Sequence, residues 1–324
     1  MFNTLQTTMR SLGNIPYAAS QRGSRDLDVG AVLLETLIRL RYSITVTTTA
    51  MVGPLWNTIP RLLRTIEFQI QGRDTVINID GEGAAMHGLL DYGTLPDGMG
   101  DAFTLAAGGP YAFDVWLKIP HYLPRSTRPM QTALDLRGIR QASVVVTWGT
   151  IADLVTTVNG GAISVTPTLD IFGRYLDFVD PGVGFLVRNL DVQTAPVTGS
   201  SGSFDITQDK GTGLLYRNFR LVTLRGQVAV SSILDGNTVR VMAGNQQFFT
   251  MIAEGIRADA KAFYDLEDEL TNVYPLQLTA MGDNSQSIPT NALDADLRLN
   301  MGVTYTSGTE LIKVYREAIR PFLI

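Results

Sequence analysis

The sequence predicts an all-β protein made of two consecutive antiparallel β-sandwiches, with short helices confined to loops. Three observations carry this expectation. Apolar residues recur at every second position over many short segments, the pattern of strands with one buried face. Helical periodicity is sparse and does not alternate with strands at the spacing of a parallel α/β sheet. The length of 324 residues corresponds to two domains at roughly 150 residues each.

The strands follow in order. Ile38, Leu40, Tyr42, Ile44 and Val46 share one face, and Arg39, Arg41, Ser43, Thr45 and Thr47 the other. Ile66, Phe68 and Ile70 alternate with Glu67, Gln69 and Gln71, and Gly72-Arg73-Asp74 reads as a turn into a strand over residues 76–79. Phe113, Val115, Leu117 and Ile119 form a further face that Pro120 closes. Residues 154–158 and 162–165 flank Asn159-Gly160, a strong two-residue hairpin signal. In the second half Phe219 and Leu221 alternate with Arg220, Val228 and Val230 follow, and then Val239 and Val241. Leu297, Leu299, Met301, Val303 and Tyr305 face one way, opposite Arg298, Asn300, Gly302, Thr304 and Thr306. Strands of this kind must bury their apolar faces against another sheet. The best helix candidates are residues 84–90 and 248–263.

The halves also match each other. Ala133-Leu134-Asp135 recurs as Ala292-Leu293-Asp294, an offset of 293 − 134 = 159. At that offset Val144 meets Val303, Thr147 meets Thr306 and Leu117 meets Leu276, while Val76 meets Val239 at 163. The expected organisation is an N-terminal arm over residues 1–35, a first sandwich over 36–178, a linker over 179–184 and a second sandwich over 185–324. The linker rests on Asp180-Pro181-Gly182-Val183-Gly184, whose Pro and Gly interrupt regular structure. Residues 196–213, rich in Gly, Ser and Thr, read as an exposed loop.

Composition narrows the function. Apolar residues make up 45% and charged residues 18%, the bias of a folded chain with large cores rather than of disorder. A net charge of −5 opposes a role in coating nucleic acid, which needs an excess of Lys and Arg. The absence of cysteine removes disulfides, thiolate zinc sites and a cysteine nucleophile. Residues 1–15 lack the charged and apolar regions of a signal peptide, and no run of about 18 apolar residues predicts a membrane-spanning helix.

The order of these features resembles that of the double jelly-roll major capsid proteins of tailless, membrane-containing icosahedral bacteriophages. The resemblance runs from about Thr36 to Ile324. An arm precedes a basic and apolar first strand, Leu37-Ile38-Arg39-Leu40-Arg41-Tyr42-Ser43-Ile44-Thr45-Val46. Leu62-Leu63-Arg64-Thr65-Ile66-Glu67-Phe68-Gln69-Ile70-Gln71-Gly72 looks like the second strand and its turn, and a second sandwich of similar length follows. The resemblance implies two eight-stranded jelly rolls and homotrimeric, pseudo-hexagonal capsomers. These would tile an icosahedral shell with minor capsid or penton proteins, over an internal membrane, in a virion made in the host cytoplasm. It also implies an outward loop over residues 196–213 and an arm that reaches a neighbouring capsomer or the membrane. Arg10, Arg22 and Arg25 on that arm are the candidate assembly or membrane contacts. No catalytic residue, cofactor, metal or sequence-specific nucleic acid is expected.

Gly81-Glu82-Gly83-Ala84-Ala85-Met86 follows a strand as a dinucleotide loop does, but Met86 stands where the third glycine belongs and no βαβ unit surrounds it. It reads as a glycine-permitted turn into a helix. The two histidines, His87 and His121, lie outside metal-ligand spacings and read as packing or surface residues. Asp265, Glu267, Asp268 and Glu269 lack the alternate oxygen ligands of a calcium loop and read as a solvated helix end or inter-subunit ion pairs.

Three rivals have distinct signatures. A secreted β-sandwich carbohydrate-binding module or glycosidase predicts an exposed aromatic platform, yet Trp56, Trp116 and Trp148 are scattered. An α/β capsid protein of the tailed-phage type predicts a long amphipathic helix. A spike or tail component would share the β pattern, and imaging of the particle would separate it.

Overall fold

The computed structural model describes residues 7–46, 59–93, 108–126, 128–154, 163–176, 186–208, 213–226, 228–266, 271–279, 283–293 and 295–321. The chain divides into two compact units. The first holds the described residues up to Pro124 and Arg128–Arg188, and the second Arg125, Ser126 and Asn189–Pro321. The expected linker lies outside the described residues.

The first unit contains β1 (Thr7–Pro16), β2 (Arg22–Asp26), β3 (Val32–Val46), β4 (Leu63–Ile70), β5 (Asp74–Ile79), α1 (Gly81–Tyr92), β6 (Gly108–Pro120), β7 (Leu134–Asp135), β8 (Ala142–Trp148), α2 (Ile151–Leu154) and β9 (Ile163–Leu176). One sheet has the order β1-β9-β3-β6, with the two-residue β7 also on β3; the other strands run β2-β8-β4-β5. The expected face of β3 is buried from Ile38 to Ile44, beside Val115 and Leu117 of β6 and Leu169 and Ile171 of β9. Ile66 and Phe68 of β4 and Val144 and Val146 of β8 supply the second layer. Each such side chain contributes roughly 1.5–3 kcal/mol on burial. The β4–β5 turn takes left-handed backbone at Gln71 (φ 52°) and Gly72 (φ 67°), a conformation that glycine adopts without a Cβ clash.

The second unit contains β10 (Leu186–Pro196), whose first three residues belong to the first unit, then β11 (Gly202–Thr207), β12 (Leu215–Arg225), β13 (Val228–Ala229), β14 (Thr238–Ala243), β15 (Gln246–Ile252), α3 (Ala253–Tyr264), β16 (Val273–Gln277), β17 (Ile288–Pro289), β18 (Leu297–Val303) and β19 (Glu310–Pro321). Its sheets have the orders β10-β19-β12-β16, with β13 and β17 on β12, and β11-β18-β14-β15. The core lies between them, with Phe219, Leu221, Ile312 and Val314 against Val239, Val241, Leu297, Leu299 and Met301.

Apart from the two-residue β13, the units match strand for strand. β1 to β6 correspond to β10, β11, β12, β14, β15 and β16, and β7, β8 and β9 to β17, β18 and β19. Even the helices agree, since α1 follows β5 as α3 follows β15. Among the described residues each unit has eight strands of five residues or more. This is a double jelly roll, as expected.

Several details differ from the sequence reading. Much of the region expected to be an arm is sandwich: β1 pairs with β9 from Thr7↔Leu176 to Pro16↔Thr168, and β2 pairs with β8. Ile15 and Leu27 are buried, so apolar residues too widely spaced to suggest a strand find their partners within the first unit. The repeat is real, but its register is not the expected one. Leu134 of β7 pairs with β3 and its counterpart is Ile288 of β17, which pairs with β12, whereas Leu293 only closes a 3-10 turn. Val239 lies on the counterpart of β4, not of β5. Short identities between strands rich in Val, Leu and Thr slide easily against one another.

Residues 248–252 are strand, and the helix starts at Ala253. Leu154 ends the short α2 rather than opening a hairpin strand; Asn159-Gly160 lies outside the described residues. The expected loop over residues 196–213 contains β11, paired with β18 from Gly202↔Val303 to Thr207↔Arg298.

Candidate functional site

The candidate contacts Arg10, Arg22 and Arg25 stand on β1 and β2. Arg10 pairs with Asp28 at 3.2 Å and lies over the Tyr175 ring. Arg22 meets Glu67 at 2.7 Å. The Arg25 guanidinium donates to the Ser24 carbonyl at 2.7 Å and has no carboxylate partner among the described residues. The three therefore do not form a bare cationic patch, because two carry a neutralising carboxylate from the same unit.

The glycine-rich turn is a packing device. A Cβ on Gly81 would lie 2.0 Å from the Pro60 carbonyl oxygen, so glycine here admits a neighbouring backbone. Asp80 caps α1, accepting from the Gly83 amide at 2.7 Å, and the buried Glu82 faces Arg61 at 3.5 Å. The start of α1 is thus occupied by acceptors of the chain itself, the opposite of a phosphate cradle.

Both histidines are buried. His121 meets the Thr36 hydroxyl at 3.1 Å and packs edge-on against Phe68. Burial, and after it the positive charge of Arg188, lowers its pKa to about 3, so the ring is neutral at ordinary pH. Arg188 is itself fully buried, bonded to Asp91 at 2.8 Å and to the Pro120 carbonyl at 3.0 Å. Among the described residues no cluster of three or more His, Asp or Glu is placed to hold a metal. Asp265 is the left-handed C-cap of α3, and the rest of the acidic run lies outside the described residues.

The polar groups that sequence reasoning missed lie on the sheet faces turned away from the cores. On β1-β9-β3-β6, Arg39 donates to both oxygens of Asp114 and stacks over Trp116, which packs on Phe172 at 5.6 Å. Arg41 pairs with Asp170 at 2.7 Å. This face is open to solvent. On β10-β19-β12-β16 the corresponding face is buried. There Glu317 accepts from Arg217, Asn218 and Arg220 at 3.2, 2.8 and 3.2 Å. Arg220 alternates with Phe219 and Leu221, yet its side chain is buried too. Only the pairing of β12 with β19 brings its carboxylate to it.

Two units of matching strand order define the double jelly-roll fold. No family model and no curated protein matches the sequence. Solved structures do match over nearly the whole chain. The STIV major capsid protein superposes with a TM-score of 0.74 at 11% identity, covering 98% of each chain; STIV is Sulfolobus Turreted Icosahedral Virus. The major capsid protein of Bacteriophage PM2 gives 0.67 at 13%, again with 98% of each chain. The PBCV-1 virus capsid gives 0.66 at 9%, covering 99% of this chain and 96% of that one. At such low identities the likeness establishes the fold.

Proposed function

We propose that this chain is a viral major capsid protein, not an enzyme, located in the capsid shell of a virion after synthesis in the host cytoplasm. Its homotrimers form pseudo-hexagonal capsomers that tile an icosahedral shell over an internal membrane, joined by minor capsid or penton proteins and without sequence-specific contacts to nucleic acid. The observation that carries this reading is the repeated strand order in both units, matched across 98% of this chain and 98% of the STIV and PM2 capsid proteins. Two similar units per subunit give three subunits a six-fold outline, and that outline packs in a hexagonal lattice. Arg10, Arg22 and Arg25 act as assembly or membrane contacts, with Arg25 the principal one because its charge is not already paired to a carboxylate.

Native mass spectrometry of the purified full chain, with electron cryo-microscopy of particles containing it, tests the reading. The expected results are a trimer and a shell whose hexagonal capsomers have this fold around a lipid layer. A chain that stays monomeric at high concentration and is absent from particles overturns it. Arg25→Glu should weaken flotation with anionic lipid vesicles; unchanged flotation removes that residue from the membrane contact.

A further inference from the structure

One end of the first unit is built from three connections tied together by their backbones. The Leu27 amide of the β2–β3 turn donates to the Ala142 carbonyl at 2.9 Å, and the Gly30 amide to the Leu136 carbonyl at 3.0 Å. Leu136 of the β7–β8 connection returns a bond to the Ala31 carbonyl at 3.0 Å. On the other side, the Gln71 amide of the β4–β5 turn donates to the Gln141 carbonyl at 2.8 Å. These bonds bring Arg73 and Arg140 onto adjoining connections. Both are exposed, and neither has a hydrogen-bond or ion-pair partner among the described residues. Arg137 lies between them in the chain, paired with Asp135 and still 47% exposed. The jelly roll does not need these cations. The corresponding connections of the second unit, residues 244–245 and 290–296, contain no Lys or Arg.

We infer that this end of the first unit, through Arg73 and Arg140, binds the phosphate headgroups of an anionic membrane. The inference rests on the membrane reading above and gives it residues and a headgroup chemistry. Charge selects the partner. Arg73 and Arg140 keep their guanidinium donors available, and a guanidinium matches the paired oxygens of a phosphate. The carboxylates of the same end are paired or set apart: Asp28 is held by Arg10 and Asp135 by Arg137, and Asp26 stands on β2, across β8 from the β4–β5 turn. Val29 of the β2–β3 turn is 45% exposed, which suits the apolar boundary beneath headgroups. A nucleic acid fits less well. Residues 27–31, 71–73 and 136–141 contain no aromatic ring on which a base could stack, and the chain carries a net charge of −5. The attraction of one arginine for an anionic leaflet is small, but a shell repeats the surface many times, and linked weak contacts sum to firm attachment.

Flotation of the purified full chain with vesicles of phosphatidylcholine alone, and of phosphatidylcholine mixed with phosphatidylglycerol, tests the surface. The natural chain should float with the anionic vesicles only, and added salt should release it. Arg73→Gln combined with Arg140→Gln should lower partitioning by at least about 25-fold, about fivefold for each arginine, with an unchanged circular dichroism spectrum and oligomeric state. Arg64→Gln is the matched control. Arg64 is exposed at the opposite end of β4 and pairs with Asp153 at 2.9 Å, so its loss should leave flotation as in the natural chain. An equal loss in that control would make the effect one of net charge and overturn the surface. A double variant that floats as well as the natural chain overturns it too and leaves the membrane reading standing. A natural chain that floats with neither vesicle overturns both. Retention by single-stranded DNA that is lost in the double variant, without any flotation, assigns the arginines to nucleic acid and overturns the lipid assignment.

Discussion

Arg39 on β3 and Arg220 on β12 sit on equivalent strands, both on the face turned away from the core, yet they live in different electrostatic worlds. Arg39 grips Asp114 at the surface, with side-chain exposures of 31% and 44%. Arg220 shares Glu317 with Arg217 and Asn218 where almost no water reaches. A duplicated topology thus fixes where strands lie without fixing what their outer faces do. Charges at the surface are screened and exchange water for one another at little gain. Charges in the buried cluster have lost their hydration and depend on each other. In the second unit the cluster is a constraint on packing, whereas in the first the charged pair lies at the surface.

The largest break in this comparison comes from removing part of one repeat. Deleting residues 1–26 strips β1 and β2 from the first unit, leaving β9 paired only with β3 and β8 paired only with β4. The shortened chain should lose soluble, cooperatively folded protein, as judged by circular dichroism and gel filtration. If it remains folded, β1 and β2 are appendages after all and the correspondence with β10 and β11 is only formal.

Next in size is Glu317→Gln. It leaves Arg217 and Arg220 in the interior without their carboxylate and should cost about 3–5 kcal/mol in denaturant unfolding, the usual penalty for breaking a buried ion pair. A cost below about 1 kcal/mol would mean that water reaches the cluster, and the contrast with Arg39 would collapse.

Acid should act strongly on the first unit. In the folded chain His121 resists protonation down to about pH 3, whereas an unfolded histidine takes a proton near 6.5. Between those values the unfolded state binds more protons, so stability is complete above about pH 6.5 and falls as the pH drops toward 3. At roughly 1.4 kcal/mol per pH unit the loss reaches a few kcal/mol. Replacing His121 with Gln should flatten the melting temperature over that window, and an unchanged slope would assign the acid sensitivity elsewhere. In the second unit, burial opposes ionisation of Glu310, but amide and hydroxyl donors of Ser307 and the Arg225 guanidinium hold its pKa at about 2. Its contribution is therefore present above the ordinary glutamate range near 4.3 and is lost as the pH falls toward 2. The two acid responses should separate in pH.

The smallest effect belongs to the surface pair. Asp114→Asn should change stability by less than about 1 kcal/mol, and added salt should shrink the difference further. A cost comparable with that of Glu317→Gln would show that this face is covered in the form measured.

Much of this was legible in the chain. The faces of β3, β4, β6 and β18 are readable because each has one side in a core and one in less apolar surroundings, and the alternation Ile38, Leu40, Tyr42, Ile44 records that directly. The duplicated plan was also visible, as a style of strand repeated in each half. β12 was only half readable, because a strand buried on both faces by paired charges looks the same as one whose arginine points to water. The arm was misread because β1 and β2 are edge strands with few apolar residues, and Ile15 gains its burial from chain far away in sequence. Local pattern therefore determined the all-β class, most strand faces and the doubling. Tertiary structure alone decided the register of the repeat and the charge cluster around Glu317, because each depends on strands that meet across long stretches of chain, and no local period carries that information.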